Sequence, residues 1–327
     1  MELFNAFLSK VVLEHKIYII AIAGNHDSEA RIDFGSKLFE SQNLYIVGKS
    51  DKGYERIEVA VRDEVVDFFL VPYIEPSKVR EIAVNEEIKR HDEAMAYLVG
   101  EMKKAQTVHP SVLVAHAFVT GGEVSDSERR LSVVGGAELV SCEHFSSFNY
   151  TALGHLHKRQ AMGKQNVRYS GSLLKYSISE ANQSKGYVVV DLKSDGTMDL
   201  TEGSFEVLRD VRVLQGSVEQ IIVQAEADSH KSDYVYAKLT GNYVQDVTAR
   251  LRHIYPNILG SEWVIEEGKN QIGDLNAPKP ATDFLKTKER TITEVFMEFL
   301  EFVDETDFEA DEIEMIEEIV KEIEEAK

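Results

Sequence analysis

A single cysteine, Cys142, stands in the whole chain of 327 residues. An internal disulfide, a cysteine-built zinc finger and a cysteine-ligated iron–sulfur cluster are therefore excluded, and a thiol-poor chain suits a reducing compartment. No apolar run approaches the ~18 residues that a membrane span needs, and the opening Met1-Glu2-Leu3-Phe4 carries no basic stretch of the kind that heads an export signal. A soluble, cytoplasmic protein is the expectation. Basic residues are also in deficit, 36 Lys and Arg against 57 Asp and Glu, for a net charge of −21, which argues against generic adhesion to anionic polymers or membranes. The deficit is uneven. Residues 294–327 hold 15 acidic and 2 basic side chains, so −13 of the −21 lies in that tail and the first 293 residues carry only −8. There is no internal repeat, no Gly-x-Ser-x-Gly elbow and no phosphate-binding loop of the Gly-x-x-x-x-Gly-Lys type, so a serine-hydrolase site and self-contained ATP use are not expected.

The length suffices for one large domain and a smaller one. Leu3, Phe4, Phe7, Leu8, Val11 and Val12 recur at helical spacing, with no capping residue ahead of them, as though the chain enters this element partway. Residues 17–23 form a continuous β-prone run, and residues 54–61 and 65–71 alternate before Pro72 and Pro76. Ile88, Met95, Leu98, Val99 and Met102 mark one face of an amphipathic packing helix. Buried strands are expected at 111–115, 150–153 and 187–192. Strands alternating with helices, with runs apolar on both faces, predict a layered α/β fold with helices over the sheet. After the turn residues Ser194-Asp195-Gly196 the texture changes. Strand, helix, strand, helix and strand are predicted at 211–214, 218–226, 234–239, 244–254 and 263–265, a small α+β domain with Trp263 in its core. The domain reading is 1–205, 206–268, a polar linker at 269–290, and an acidic segment at 291–327. That last segment contains two amphipathic helices, at 293–303 and 310–325.

Three predicted strands end in the same punctuation: Gly24-Asn25-His26-Asp27, His116, and Gly154-His155-Leu156-His157. Ligands of open α/β sheets gather beyond the carboxyl ends of the strands, so this pattern brings imidazoles and an amide carbonyl to one crevice. Nitrogen and oxygen donors without thiolate suit manganese, iron, nickel or zinc. Each histidine alone also reads as a satisfied structural residue; the joint placement is what points to a metal. His15, His91, His109, His144, His230 and His253 lack strand-end company and read as structural or surface residues, and Cys142 as an inert small residue.

These motifs, in this order, resemble the later motifs of the calcineurin-like metallophosphoesterases. The similarity is closest to the SbcD nuclease branch, through Gly121-Gly122-Glu123-Val124-Ser125-Asp126-Ser127-Glu128-Arg129 and Arg168-Tyr169-Ser170-Gly171-Ser172. The resemblance implies a layered metallophosphoesterase sandwich, here N-terminally incomplete, with a capping domain that faces DNA and C-terminal helices. It implies a two-manganese phosphodiesterase acting on DNA ends and hairpins in repair, recombination and replication, as a homodimer within a heterotetramer with the ATPase SbcC. Asn25, His116 and His155 match ligands of one manganese and His157 a ligand of the other. His26 matches the residue that steadies the scissile phosphate, and Asp27 one that would orient its ring. Lys158, Arg159, Lys164 and Arg168 could contact backbone phosphates or be scattered surface charge. Phe296, Phe299, Leu300, Ile316, Val320 and Ile323 would dock on a partner coiled coil, or fold back on the body.

The family's Asp-x-His and metal-bridging Gly-Asp motifs have no counterpart ahead of Gly24, and no Asp precedes Asp27. Two unit charges 4 Å apart repel by ~4 kcal/mol at an effective dielectric of 20, so two bare dications repel by ~16 kcal/mol. The expectation is a chain lacking its opening strands, or a shortened non-catalytic paralogue. It would bind at most one metal, weakly, show little nuclease activity alone, and expose apolar sheet surface. A non-catalytic assembly module and a small-molecule phosphoesterase stand as alternative functions.

Overall fold

The computed structural model describes residues 2–61, 64–128 and 138–264. The linker at 269–290, the acidic segment at 291–327 and Arg129 lie outside the described residues. The described chain is a mixed α/β structure of several sheets.

In chain order its first elements are α1 (Glu2–Leu8), a π-helical stretch (Ser9–Glu14), β1 (Ile19–Ile22), α2 (Glu29–Asp33), α3 (Ser36–Phe39) and β2 (Leu44–Val47). The helix-then-strand reading of the opening holds, but β1 is half-buried rather than buried. Its ladder partner is β2, parallel, with Ile19 opposite Leu44 and Ile22 opposite Val47. The apolar stripe of the first helix is largely uncovered. Val12 is buried, whereas Leu3, Phe4, Phe7 and Leu13 are exposed, as are Phe34 and Leu38 further on.

The main sheet follows: β3 (Glu55–Val61), β4 (Glu64–Val71), α4 (Pro76–Ala83), α5 (His91–Ala105), β5 (Ser111–His116), the short β6 (Phe118–Val119) and β7 (Leu139–Val140), β8 (Tyr150–Gly154), β9 (Gln160–Met162) and β10 (Lys164–Tyr169). Six of these strands hydrogen-bond in the order β3-β4-β5-β8-β10-β9. The inner pairs β4/β5, β5/β8 and β8/β10 are parallel and the two outer pairs antiparallel. The parallel centre explains the unbroken apolar runs, because both faces must be covered. Helix α5 covers one of them with Ala94, Met95, Leu98, Val99 and Met102, packed with Phe69, Val71, Leu113, Phe145 and Tyr169. Its start is fixed by Glu93, whose Oε2 accepts the N–H groups of Lys89 and Arg90 at 2.7 and 3.0 Å, acceptors for donors a helix N-terminus leaves open.

Beyond β10 come β11 (Gly186–Leu192) and β12 (Met198–Ser204), an antiparallel hairpin. The expectation of a buried strand at 187–192 is corrected here. Alternate side chains are open, with Tyr187 and Val189 about half exposed, because the hairpin has one covered face.

The segment expected to form a small domain belongs to the same compact unit as the sheets before it, Met1–Ile265, and runs β13 (Val211–Gly216), α6 (Val218–Ala227), β14 (Tyr234–Leu239), α7 (Val247–Arg252) and β15 (Ile258–Trp263). The predicted element order is correct, but all three strands are parallel, making this a βαβαβ unit rather than segregated α+β. Ser217 opens α6 with a capping box: its Oγ accepts from Gln220 N at 3.3 Å, and Gln220 Oε1 accepts from Ser217 N at 2.8 Å. The last strand begins five residues earlier than the 263–265 reading, since Ile258 pairs with Val235 and Trp263 with Leu239. Leu214, Ile221, Val235, Leu239, Leu251 and Tyr255 form a separate core against which Trp263 packs, partly buried.

Candidate metal centre

The strand-end motifs meet through sheet register. Strands β5 and β8 are neighbours and His116 lies opposite Gly154, which sets His116 beside His155. The turn after β1 reaches the same place because Ala23 bridges two strands: its N–H donates to Val47 O at 3.0 Å and its carbonyl accepts from Tyr73 N at 2.9 Å. Asn25 Oδ1 then lies 3.0 Å from His116 Nε2, and His155 Nδ1 lies 3.3 Å from the same nitrogen. The two rings meet edge to face at 5.3 Å, and Phe118 and Tyr73 flank them.

Two glycines make room for His116. A Cβ on Gly24 would sit 2.8 Å from its Cε1, and one on Gly154 would sit 3.0 Å from its Nδ1. His155 holds a φ of +121°, a conformation rare for a residue with a side chain and the kind of strain that collects at functional sites.

Burial, reinforced by His155 and only partly opposed by Asp27, pushes the His116 imidazole down to about 4. Burial likewise lowers His155, against the opposing field of Glu128. Both rings are thereby kept neutral at neutral pH, the form that can donate a lone pair to a metal.

His26 and Asp27 are exposed on this turn. Asp27 Oδ2 accepts the N–H of Gly24 at 2.8 Å, so this carboxylate closes the turn.

His157 stands in a different setting. Its Nδ1 lies 2.9 Å from Ser127 Oγ and 3.1 Å from Oε1 of Glu180. Glu180 is fully buried, with Lys185 Nζ 2.7 Å from its other oxygen. Burial alone would raise the Glu180 carboxyl, but the hydrogen bonds from Lys185, Ser127 and His157 outweigh it and bring the group down to about 2. The backbone of His157 is gripped as well. Its N–H donates to Glu128 Oε1, and its carbonyl accepts from Lys185 Nζ at 2.8 Å and from Ser172 N at 3.1 Å. Gly171, at φ +83°, is required at this crossing, because a Cβ there would lie 2.7 Å from the same carbonyl.

The polar stretches at 121–128 and 168–172 therefore converge around His157. Glu180 and Lys185 lie outside every motif read from the sequence. An acidic residue in a short 3₁₀ turn (Ile178–Glu180) gives no periodic signal, and only the fold shows that it is buried.

The basic residues are engaged internally. Lys158 pairs with Glu123. Arg159 lies 3.2 Å from Glu202 and donates to Gly203 O at 2.8 Å. Arg168, only 8 % exposed, pairs with the same Glu202 and donates to Gln165 at 2.8 Å. Arg159 and Arg168 thus tie β10 and its neighbouring loop to the β11–β12 hairpin.

Among the described residues no group of three or more His, Cys, Asp and Glu side chains is arranged to hold a metal ion. The juxtaposed set is two imidazoles and one amide. Donor separations of 3.0 and 3.3 Å match neighbouring ligands on an ion with bonds of ~2.1 Å, so the cluster fits one cation through neutral donors. It does not fit a pair, because no carboxylate stands among the three donors.

Residues 207–304 match the SbcD C-terminal family model, described as the type 5 capsule protein repressor C-terminal domain; the described small domain falls within that stretch. The chain is also 35 % identical over 261 residues to the SbcD subunit of the nuclease SbcCD from Staphylococcus epidermidis, an alignment covering 79 % of this chain and 68 % of that protein. With the motifs, the strand-end cluster and the small domain in this order, the chain belongs to the SbcD family of nuclease subunits.

Proposed function

We propose that this chain serves as the nuclease subunit of an SbcC–SbcD type complex, hydrolysing DNA phosphodiester bonds with the help of manganese. The observation that carries the reading is the meeting of Asn25, His116 and His155 at three strand ends, with both imidazoles held neutral. Asn25, His116 and His155 would hold the ion, which when bound polarises a phosphate oxygen and lowers the pKa of water. His26, exposed on the adjoining turn, is free to steady the scissile phosphate and hand a proton to the departing oxygen. Lys158 is able to exchange Glu123 for a DNA phosphate, whereas Arg159 and Arg168 serve through Glu202 to brace the β11–β12 hairpin beside the site. The segment at 291–327 carries the docking surface for an SbcC-like ATPase, and the assembly contains two copies of this chain.

A second reading, an assembly subunit without hydrolysis, is favoured by one feature: the cluster offers three neutral donors and no anionic ligand. Manganese titration followed by electron paramagnetic resonance, alongside cleavage of a hairpin DNA with and without manganese, separates the two. The nuclease reading expects one weak manganese site, cleavage that needs the ion, and loss of both in His116→Ala and His155→Ala. Binding of the partner with no cleavage under any metal would establish the assembly reading instead.

A further inference from the structure

Glu180 is the most enclosed carboxylate near the candidate centre, and no role in metal binding or hydrolysis accounts for it. Its side chain is 0 % exposed and paired with Lys185, itself 4 % exposed. Ser127 Oγ and Ser125 Oγ both lie within reach of its Oε1, at 2.7 and 3.0 Å. Ser127 also lies 2.9 Å from His157 Nδ1, and Glu180 Oε1 lies 3.1 Å from that same nitrogen.

An ionised carboxylate can only accept, and each hydroxyl has one proton to give. When Ser127 donates to Glu180, its oxygen faces the imidazole as an acceptor. His157 Nδ1 then sees two acceptors and must carry the ring proton. The opposite arrangement, Ser127 donating to a bare Nδ1, would set that nitrogen's lone pair 3.1 Å from a carboxylate oxygen. The backbone of His157 is already fixed through Glu128, Ser172 and Lys185, so the proton's position is the freedom that remains.

We propose that Glu180, supported by Lys185 and Ser127, is a positioning residue that locks His157 as its Nδ1–H tautomer and so keeps the Nε2 lone pair available for metal or substrate. The catalytic part of this assignment rests on the nuclease reading above; the tautomer does not. A carboxylate behind an imidazole fixes its orientation and raises its basicity, and removing such a partner costs ~10–100-fold in metal affinity or activity.

The test is long-range proton–nitrogen NMR of the histidine rings in the full 327-residue chain without metal. The His157 signals are assigned with His157→Gln, and the spectra are taken at about pH 8.5, where an ordinary imidazole is neutral. The wild-type ring is expected as Nδ1–H in ~10-fold excess or more, the size of preference a charge-assisted hydrogen bond confers. Glu180→Gln, whose amide can donate or accept, is expected to mix the tautomers. The pair Glu180→Gln with Lys185→Met is expected to do the same without leaving a buried ammonium unpaired. A wild-type ring that is Nε2–H or doubly protonated overturns the proposal, and this arm decides even if a variant does not fold. So does an unchanged tautomer in either folded variant. A wild-type chain that shows the Nδ1–H ring yet never cleaves DNA would sink the nuclease reading and leave the tautomer lock standing.

Discussion

Lys175 and Asp210 join the central sheet's exit to the small domain, with Nζ 2.9 Å from Oδ2. The same ammonium donates to the carbonyls of Ala181 at 2.7 Å and Val211 at 3.2 Å, so all three of its protons are used although the side chain is only 8 % exposed. The next residue, Tyr176, packs edge-on against the His157 ring at 5.5 Å. One buried lysine therefore ties the first strand of the small domain to the segment beside the candidate centre. Lys175→Met would leave two carbonyls without their donor and Asp210 without its partner. We expect a loss of ~2–3 kcal/mol, discounted because Asp210 is itself partly solvated. Urea unfolding measures the loss, and hydrogen exchange should show the amides of β13 opening first. Unchanged protection along β13 would show that the two parts are held together by something else.

The approach of Gly24 to His116 makes a second expectation. Gly24→Ala places a methyl group 2.8 Å from the imidazole Cε1, and the half-buried ring already packs edge-on against Tyr73 and His155. Overpacking of this kind costs ~1–3 kcal/mol, and its local effect is to pull His116 away from Asn25. Manganese affinity and manganese-dependent cleavage should fall at least ~10-fold while the chain still folds, since a small misplacement at a site has a large effect on it. A variant with normal affinity would mean that the ring can move without consequence.

How far the sequence could be read follows from which signals are periodic. The α5 stripe from Ile88 to Met102 and the runs of β4, β5 and β8 declared themselves because burial on a regular element imposes a pattern. The histidines of the candidate centre were legible because each follows a strand that the pattern had already placed. Strand β12 was missed: its sequence Met-Asp-Leu-Thr-Glu-Gly-Ser is largely exposed and held by pairing with β11, and ladder hydrogen bonds leave no trace in side-chain type. Glu180 was missed for a related reason, since its burial is imposed by Lys185, Ser125 and Ser127 from distant segments. The exposure of β11 was misjudged because Tyr-Val-Val-Val suits a half-covered hairpin as well as a buried strand.

The packing of α5 on the sheet gives a test of stability. Leu98 is fully buried, and Gly53, at φ +78°, is the residue whose absent Cβ makes space for it; that atom would lie 2.6 Å from Leu98 Cδ2. Leu98→Ala should cost ~2–5 kcal/mol through lost burial and the cavity left behind. Chemical denaturation checks the figure. A cost under ~1 kcal/mol would mean that the helix collapses onto the gap without strain.

Acid should weaken the small domain through Asp228. Its Oδ2 accepts from Arg212 at 2.9 Å and from the buried Tyr255 hydroxyl at 3.1 Å, and its Oδ1 accepts from His230 N at 2.8 Å. Burial acts to raise this carboxyl, but the hydrogen bonds from Arg212 and His230 prevail and hold it below the usual aspartate value. Burial, with the same contact adding to it, pushes the Tyr255 phenol up to about 12. A carboxyl lowered by folding binds its proton less readily in the folded chain than in the unfolded one. Its stabilisation is therefore complete above the ordinary aspartate value of ~4 and is lost as the pH falls through the lowered folded value. Asp228→Asn should be less stable than wild type by ~1.5–3 kcal/mol at about pH 7. That difference should persist at about pH 5 and shrink only below about pH 4. Urea midpoints of both chains across this range provide the check. A gap between them that stayed constant down to about pH 2 would place the acid sensitivity elsewhere.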